Sequence, residues 1–136
     1  MKAFFIIGGI AILALIGWVV FSQSNNPDIL ARSGLHWHAH LTIEARGANV
    51  VIPEGIGLAG EEMPIHTHAT DGIIHMEFPG VVTKEDVMLG QFFKVWGKNM
   101  RSAFGTLSSM TVNGATSTAY ENYVMHDGDS IFLTYE

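Results

Sequence analysis

The sequence predicts an α+β domain in which one helix packs on a small mixed β-sheet, with an N-terminal transmembrane helix ahead of it. Several short segments alternate apolar and polar residues between glycine-containing turns, which indicates strands. Residues 83–97 carry apolar side chains at helical spacing, and residues 3–21 carry no charge. We therefore divide the chain into an anchor at residues 1–22, a linker at 23–34 and a domain at 35–136.

The uncharged segment from Ala3 to Phe21 is long enough to cross a bilayer. Its nineteen residues would form a helix of roughly 28 Å, about the thickness of the hydrocarbon core. Because Lys2 precedes the segment, the positive-inside tendency keeps the amino end in the cytoplasm. We therefore expect a single-pass protein of the cell membrane whose domain faces outside the cytoplasm.

A cleaved signal peptide is the alternative interpretation of the same segment. Ser22 and Ser24 are small and have the spacing of a cleavage site. The apolar run is longer than the core of a usual signal peptide, however, and Trp18 suits a membrane interface. These two features favour a retained anchor, and both interpretations export the domain.

The composition narrows the possible partners and ligands. The net charge is −6 and the seven Lys and Arg residues form no run, so we expect no nucleic-acid partner. The chain has no cysteine, so a metal site would use imidazole, carboxylate or thioether ligands. Residues 23–34 are mostly polar and contain Pro27, which is typical of a linker.

The strand predictions follow the alternating segments in order. The segment "LHWHAHLTIEA" is the first strand, and a turn near Gly47 leads to a return strand over Val50 to Ile52. The segment "IHTHATDGIIHMEF" contains two strand-like runs around Asp71-Gly72, a strong signal for a two-residue hairpin turn. Two more strands, "SMTVNG" and "DSIFLTYE", adjoin turns at Asn113-Gly114 and Asp127-Gly128.

One helix is predicted in the segment "TKEDVMLGQFFKVWG". Thr83 is a good N-cap, and Gly97 ends the helix. Phe92, Phe93 and Trp96 recur at helical spacing and would face the sheet. The order of strand pair, hairpin, helix and two strands fits a β-grasp-like arrangement.

The hairpin gathers histidines on one face of the predicted sheet. A two-residue turn at Asp71-Gly72 sets His68 opposite His75 and His66 opposite Glu77. Side chains alternate across a strand, so all four project from the same face. Opposed Cβ atoms lie about 4.5–5.5 Å apart, which lets two imidazoles bind one ion with bonds near 2.0 Å.

A second histidine cluster obeys the same rule. In "LHWHAH" the three histidines alternate with Trp37 and Ala39 and therefore share one face. If this strand lies beside the hairpin, both clusters crowd one patch of sheet, which favours a bound cation over protonated rings. The predicted metal ligands are His38, His40, His66, His68 and His75, with Glu77 as ligand or orienter and His36 as a further candidate.

Copper is our first choice of metal and zinc the second. Imidazole-rich sites without thiolate suit both, and intrinsic affinity peaks at copper(II). Most methionines are scattered and fit a role as core filler, whereas Met63, three residues before His66, is a thioether worth testing. A domain that binds or handles copper outside the cytoplasm has another extracytoplasmic metalloprotein as a candidate partner.

Two other functions fit the same residues. A small metal-dependent enzyme would need an open coordination position and a base, for which Glu44, Glu61, Glu62, Asp71 and Glu77 are candidates. A pH-responsive interaction module would use the imidazoles without a metal. The coordination number discriminates these functions, because a closed set of four ligands favours a carrier and an open position favours catalysis.

Six segments in this order carry a resemblance to a known family: "HWHAHLTI", "VIPEGIG", "HTHATDGIIHMEFP", "LGQFFKVWGK", "VNG" and "ENYVMHDGDSIFLTYE". The domain resembles a family of uncharacterised membrane-anchored or secreted domains of bacteria and archaea, which has no established activity. The family's recurrent histidines fall on His38, His40, His66, His68 and His75, so the resemblance implies that these form its site. The family usually has Asp directly after the second histidine of His-x-His, where this chain has Ala69 and places the acid at Asp71.

Overall fold

The computed structural model describes residues 2–24 and 26–136, with the backbone alone for residues 2–7, 10, 23 and 24. It confirms the α+β class, since a multi-strand sheet is combined with helices. The strands are β1 (Ile29–Ala31), β2 (Leu35–Ala45), β3 (Ala48–Val50), β4 (Ile65–His66), β5 (Ile73–Phe78), β6 (Val82–Thr83), β7 (Leu107–Val112), β8 (Ala115–Thr116) and β9 (Ser130–Tyr135). The helices are α1 (Lys2–Ser24) and α2 (Leu89–Val95), with 3-10 turns at Glu85–Val87 and Tyr120–Asn122.

Strand β2 is the centre of a seven-stranded mixed sheet. The strand order is β4-β5-β2-β9-β7-β8, and β3 also pairs with β2. The first half of β2 pairs with β5 in antiparallel fashion, and its second half pairs with β9 in parallel fashion. Strands β1 and β6 form a separate two-stranded sheet. The predicted mixed sheet is confirmed, whereas a β-grasp topology is not.

Alternation along β2 separates the core from the histidines. Leu35, Ala39, Leu41 and Ile43 are buried, while His36 and His40 on the opposite face are exposed. The buried side of the sheet packs against Phe92 and Phe93 of α2 in one hydrophobic core. An apolar face buried by a helix holds the sheet together and leaves the other face to polar side chains.

Two hairpins use two-residue turns with both residues at positive φ. Asn113 and Gly114 have φ of 52° and 82°, as the Asn-Gly signal predicts. Arg46 and Gly47 have φ of 52° and 77° and join β2 to β3. The return strand predicted over residues 50–52 therefore begins earlier, at Ala48.

The predicted single helix over residues 83–97 is interrupted at Met88. Its backbone is extended there, with ψ of 141°, and separates the 3-10 turn from α2. The cause is a crossing segment near Val124, with which Met88 forms an isolated β-bridge. Thr83 does not cap the helix through its own side chain; its N–H and hydroxyl both donate to the Asp86 carboxylate at 2.7 Å.

Helix α1 covers the predicted anchor and the start of the linker. Its side chains from residue 11 to residue 22 are exposed. Among the described residues, no helix combines the length and the apolar character that crossing a membrane requires. The anchor predicted at residues 1–22 is therefore not confirmed; Met1 and the side chains of residues 2–7 and 10 lie outside the described part of the chain.

Candidate metal centre

Three neighbouring strands place histidines side by side on one face of the sheet. His75 in β5 lies directly opposite His66 of β4 on one side and His38 of β2 on the other. The next pair on this face is Glu77 of β5 opposite His36 of β2. Because neighbouring strands lie only about 4.7–4.9 Å apart, these side chains are within reach of one another. The expectation that the first histidine strand lies beside the hairpin is confirmed.

The hairpin differs from the predicted one in its register. A two-residue turn at Asp71-Gly72 would set His68 opposite His75, whereas the structure sets His66 there. The connection between the strands runs through residues 67–72. The shift is two residues, and side chains alternate between faces, so His66 still shares a face with His75. The predicted turn is wrong, and the predicted convergence of side chains survives it.

Thr67 explains why β4 is so short. Its N–H donates to the carbonyl of Ile56 at 3.0 Å, and its hydroxyl donates to the carbonyl of Pro53 at 2.8 Å. These bonds turn the chain away from β5 immediately after His66. The chain next pairs with β2, just before β5 begins: the carbonyl of Gly72 accepts the N–H of Leu41 at 2.8 Å.

The first group of candidate ligands consists of His66, His68, His75 and Glu77. One donor atom of each lies within 4.8 Å of the others. Nε2 of His66 is 3.0 Å from Nε2 of His68, and Nδ1 of His75 is 3.8 Å from Oε1 of Glu77. The ring centroid of His75 is 5.4 Å from that of His66 and 4.6 Å from that of His68. Three imidazoles and one carboxylate therefore converge.

The second group consists of His36, His38 and Glu77. Nε2 of His36 is 3.2 Å from Nε2 of His38 and 3.3 Å from Oε1 of Glu77. Glu77 belongs to both groups. The ring centroids of His38 and His75 are 4.7 Å apart, so the two groups are contiguous.

The short distances fit the edges of a coordination polyhedron. With metal–nitrogen bonds of about 2.0–2.1 Å, adjacent donors lie about 2.9–3.4 Å apart. The separations of 3.0, 3.2 and 3.3 Å fall in this range. Hydrogen bonds between imidazoles have similar lengths. A metal site therefore differs from a set of hydrogen-bonded imidazoles in having ring nitrogens without a hydrogen-bond partner.

The tautomer of His66 is fixed by the backbone. Nδ1 of this fully buried ring lies 2.8 Å from the carbonyl oxygen of Met63. A carbonyl can only accept, so Nδ1 carries the proton, and in the neutral ring Nε2 presents a lone pair to the cluster. Metal-binding histidines are oriented in this way by backbone carbonyls. Met63 therefore contacts the site through its carbonyl, a role for which the sequence carries no signal.

Nδ1 of His75 is the unsatisfied atom of the cluster. Among the described residues, it alone is a buried side-chain nitrogen or oxygen atom without a hydrogen-bond partner. Burial, and then repulsion from His38, His68 and His66, lowers the pKa of His75 below its ordinary value, against the opposing pull of Glu77. The neutral ring that results is the form that binds metals.

The loop before β9 forms hydrogen bonds with the backbone of His38. The N–H of His38 donates to Oδ1 of Asp127 at 2.8 Å, and the N–H of Gly128 donates to the carbonyl of His38 at 2.7 Å. Oδ1 of Asp127 is also 3.9 Å from Nδ1 of the His38 ring. The sequence assigns Asp127 only to a turn, because 89 residues separate it from His38.

Two histidines lie outside both groups. His40 pairs with Ile73 at the far end of the β2–β5 ladder and is exposed. The structure does not bring it together with the other candidate ligands, and its role as a ligand stays a prediction. The other is His126, whose ring centroid lies 5.8 Å from that of Trp37 and 6.4 Å from that of Tyr123.

A cleft of about 560 Å³ opens beside the second group. It is lined by Gly34, Leu35, His36, Glu62, Glu77, Phe78 and Pro79. His36 is 63% exposed in this cleft, whereas His66 at the other side of the cluster is fully buried. The cluster therefore has a closed side and a side that a small molecule can reach.

The donor set can hold a divalent ion. Five imidazoles and one shared carboxylate supply nitrogen and oxygen ligands for it. Comparison with protein-family models, curated proteins and solved structures finds no match for this chain, so the sequence resemblance to a family of membrane-anchored or secreted domains stays a prediction.

Proposed function

We propose that this protein binds a divalent transition metal through His66, His68, His75 and Glu77. The observation that carries the proposal is the buried Nδ1 of His75, which has no hydrogen-bond partner and lies 3.8 Å from Oε1 of Glu77, on a ring that adjoins the rings of His66 and His68. An unsatisfied buried polar atom is costly, and a metal ion would remove that cost. The fixed tautomer of His66 supplies a second lone pair to the same place.

Copper(II) is the first choice of ion and zinc the second. The ligands are imidazole and carboxylate, and the chain contains no cysteine. Copper(II) has the higher intrinsic affinity for such ligands, while zinc accepts the same four donors in a tetrahedral arrangement. Binding and handling of copper is therefore the biochemical function that we propose.

We further propose that α1 attaches the domain to a membrane, with the domain outside the cytoplasm. The support is the apolar character of its exposed side chains, among them Leu13 at 70% and Trp18 at 73% exposure. Lys2 on the amino-terminal side favours a cytoplasmic amino end. Membrane fractionation of cells, followed by protease treatment of intact spheroplasts, tests this separately from metal binding. Recovery in the washed soluble fraction would overturn it.

Metal analysis of the full-length chain, purified in mild detergent without a polyhistidine tag, tests the metal proposal. After incubation with copper(II) and dialysis, we expect at least about one equivalent per chain, with nitrogen hyperfine structure in the EPR spectrum. The same preparation with zinc should retain zinc. Less than about a tenth of an equivalent of either ion would overturn the proposal and favour a pH-responsive module.

A small metal-dependent enzyme is the second candidate function. The cleft beside His36 and Glu77 favours it, because catalysis needs a coordination position that a substrate can reach. Glu62 lines the same cleft and is 58% exposed, so it is placed to act as a base. The EPR spectrum discriminates the two functions: displacement of a bound water by azide favours the enzyme, and an unchanged spectrum favours the carrier.

A further inference from the structure

We propose that the cluster holds two metal ions and that Glu77 bridges them. This inference rests on the proposed function, since it adds a second ion at His36 and His38 to the one at His66, His68 and His75. Glu77 is the residue common to both groups of candidate ligands. A carboxylate has two oxygens and several lone pairs, and can therefore bind two ions at once.

The strand register builds the two halves of the site. His38 lies opposite His75, and His36 lies opposite Glu77, in consecutive positions on the same face of the β2–β5 pair. Glu77 therefore follows His75 along one strand and faces His36 across the ladder. This position lies between the two groups, and the alternation of side chains maintains it.

The distances place one oxygen of Glu77 near both halves. Oε1 is 3.3 Å from Nε2 of His36 and 3.8 Å from Nδ1 of His75. Ions that share such a carboxylate in two-metal sites lie about 3.5–4 Å apart. The 4.7 Å separation of the His38 and His75 ring centroids shows that the two imidazole groups are close enough for this arrangement.

Three carboxylates near the imidazoles offset part of the charge of two divalent ions. Five neutral imidazoles bring no negative charge, and Glu77 alone offsets only part of the charge of a pair of divalent ions. Two further carboxylates flank the rings at opposite ends: Glu62 is 3.8 Å from Nε2 of His66, and Asp127 is 3.9 Å from Nδ1 of His38. One exposed carboxylate therefore lies beside each half, and because solvent screens both carboxylates, each adds only a small stabilisation to a bound cation.

The two positions differ in exposure, which predicts unequal affinities. The His66 side chain is fully buried and that of His75 is 20% exposed, whereas the side chains of His36 and His38 are 63% and 43% exposed. Ligands held by packing lose little conformational freedom when they bind, and exposed ligands must be ordered. We expect the first ion at the buried position and the second at the exposed one.

Copper(II) titration of the full-length chain, followed by EPR, tests the inference. Up to about one equivalent, the spectrum should be that of an isolated copper(II) ion. Between about one and two equivalents, the spectrum should broaden, the integrated signal should fall short of the added copper, and a half-field signal should appear, because ions about 4 Å apart couple. The double variant His36→Gln/His38→Gln should bind about one equivalent and show no coupling.

The control is His126→Gln, which removes an exposed imidazole outside both groups. It should bind and couple like the unmodified chain, and melting of the metal-free variants followed by circular dichroism shows that each is folded. One ion per chain, or two ions without coupling, would overturn the bridged pair and leave the proposed function intact. No bound ion at all would overturn both.

Discussion

Nδ1 of His66 donates a hydrogen bond of 2.8 Å to the carbonyl oxygen of Met63, and this contact fixes how the ring faces the cluster. The ring is fully buried, so it cannot turn to a different partner without unpacking β4. On the other side of the ring, Nε2 lies 3.0 Å from Nε2 of the exposed His68. The site therefore combines a ligand held rigidly by the backbone with one that can adjust to the ion.

Replacing His75 by phenylalanine should abolish tight binding of the first ion. An aromatic ring of somewhat larger size is kept, while the buried Nδ1 without a partner is removed. Loss of an outer-shell partner already costs about 10–100-fold in metal affinity, so loss of this ligand should lower copper(II) affinity by more than about 100-fold. Competition with a chelator of known affinity measures the change.

His126→Phe is the matched control for His75→Phe. His126 is 57% exposed and its ring lies against Trp37, outside both ligand groups. Its replacement should leave copper(II) affinity within about threefold of that of the unmodified chain. Equal affinity of the two variants would show that His75 is not a ligand.

Comparing Glu77 with Glu62 tests whether a carboxylate binds the metal ion directly or only adds negative charge near it. Both carboxylates flank the imidazoles, and each replacement by glutamine removes one negative charge. Glu77 belongs to both ligand groups. Glu77→Gln should therefore lower the affinity for the first copper(II) ion by about 10-fold or more, and it should also lower the affinity for the second ion. Glu62 is 58% exposed and screened by solvent, so Glu62→Gln should change affinity by less than about threefold. Similar losses in both variants would indicate that only the local charge matters.

Gly57 packs closely against the backbone of β4. A Cβ on this residue would lie 2.5 Å from the carbonyl oxygen of Ile65 and 3.2 Å from the Cβ of His66. Gly57→Ala should therefore displace the strand that carries His66, with a cost of about 1–3 kcal/mol beyond backbone strain and an affinity loss of about 10-fold. Urea unfolding and copper(II) titration measure the two effects.

Gly55→Ala isolates the backbone strain from the clash. Gly55 has φ of 76°, close to the 77° of Gly57, and a Cβ there would meet nothing within 4 Å. Its alanine variant should cost only the left-handed strain of about 1–2 kcal/mol and should keep the copper(II) affinity. If the two variants have the same stability and affinity, β4 tolerates the displacement and the contact with Gly57 does not position His66.

The shared face of the histidines was predictable because it depends only on alternation along a strand. His36 and His38 share a face in any register, and so do His66 and His75 when the connection changes by an even number of residues. The antiparallel pairing of β2 with β5 then brings the two sets together. The candidate site is therefore largely a consequence of local sequence pattern and one long-range pairing.

The features that were not predictable depend on contacts distant in sequence. The β4–β5 register is set by bonds from Thr67 to Ile56 and Pro53, and the helix break at Met88 is set by the crossing segment at Val124. No single-sequence pattern reports such partners. The propensity of residues 83–97 for a continuous helix is overridden by tertiary contacts, which outweigh differences of a few tenths of a kcal/mol per residue.

A buried carboxylate secures the loop that holds His38. Asp129 is 6% exposed, and its Oδ2 accepts the hydroxyl of Tyr123 and the N–H of His126, each at 2.7 Å. Its Oδ1 accepts the side-chain amide of Asn113 at 2.9 Å. Burial alone would raise the pKa of Asp129, but these donors, with His126 nearby, lower it below its ordinary value.

Because the pKa of Asp129 is lowered in the folded state, the metal-free protein should lose stability at acid pH. We call this part of the curve of stability against pH the acid limb. The folded state binds this proton less readily than the unfolded state, so the stabilisation is present above the unfolded pKa of about 3.9 and is lost as pH falls through the folded pKa.

Asp129→Asn should cost about 1–3 kcal/mol at pH 7, since it replaces an acceptor of three hydrogen bonds, and should flatten that limb. Urea unfolding between about pH 2 and 7, with a chelator present, measures both. Asp71→Asn, at an exposed position in the connection over residues 67–72, is the control and should leave the acid limb unchanged. Identical limbs in the Asp129 variant and the unmodified chain would show that the folded loop gains nothing from an ionised carboxylate, and the hydrogen bonds from Tyr123 and Asn113 would then contribute through geometry alone.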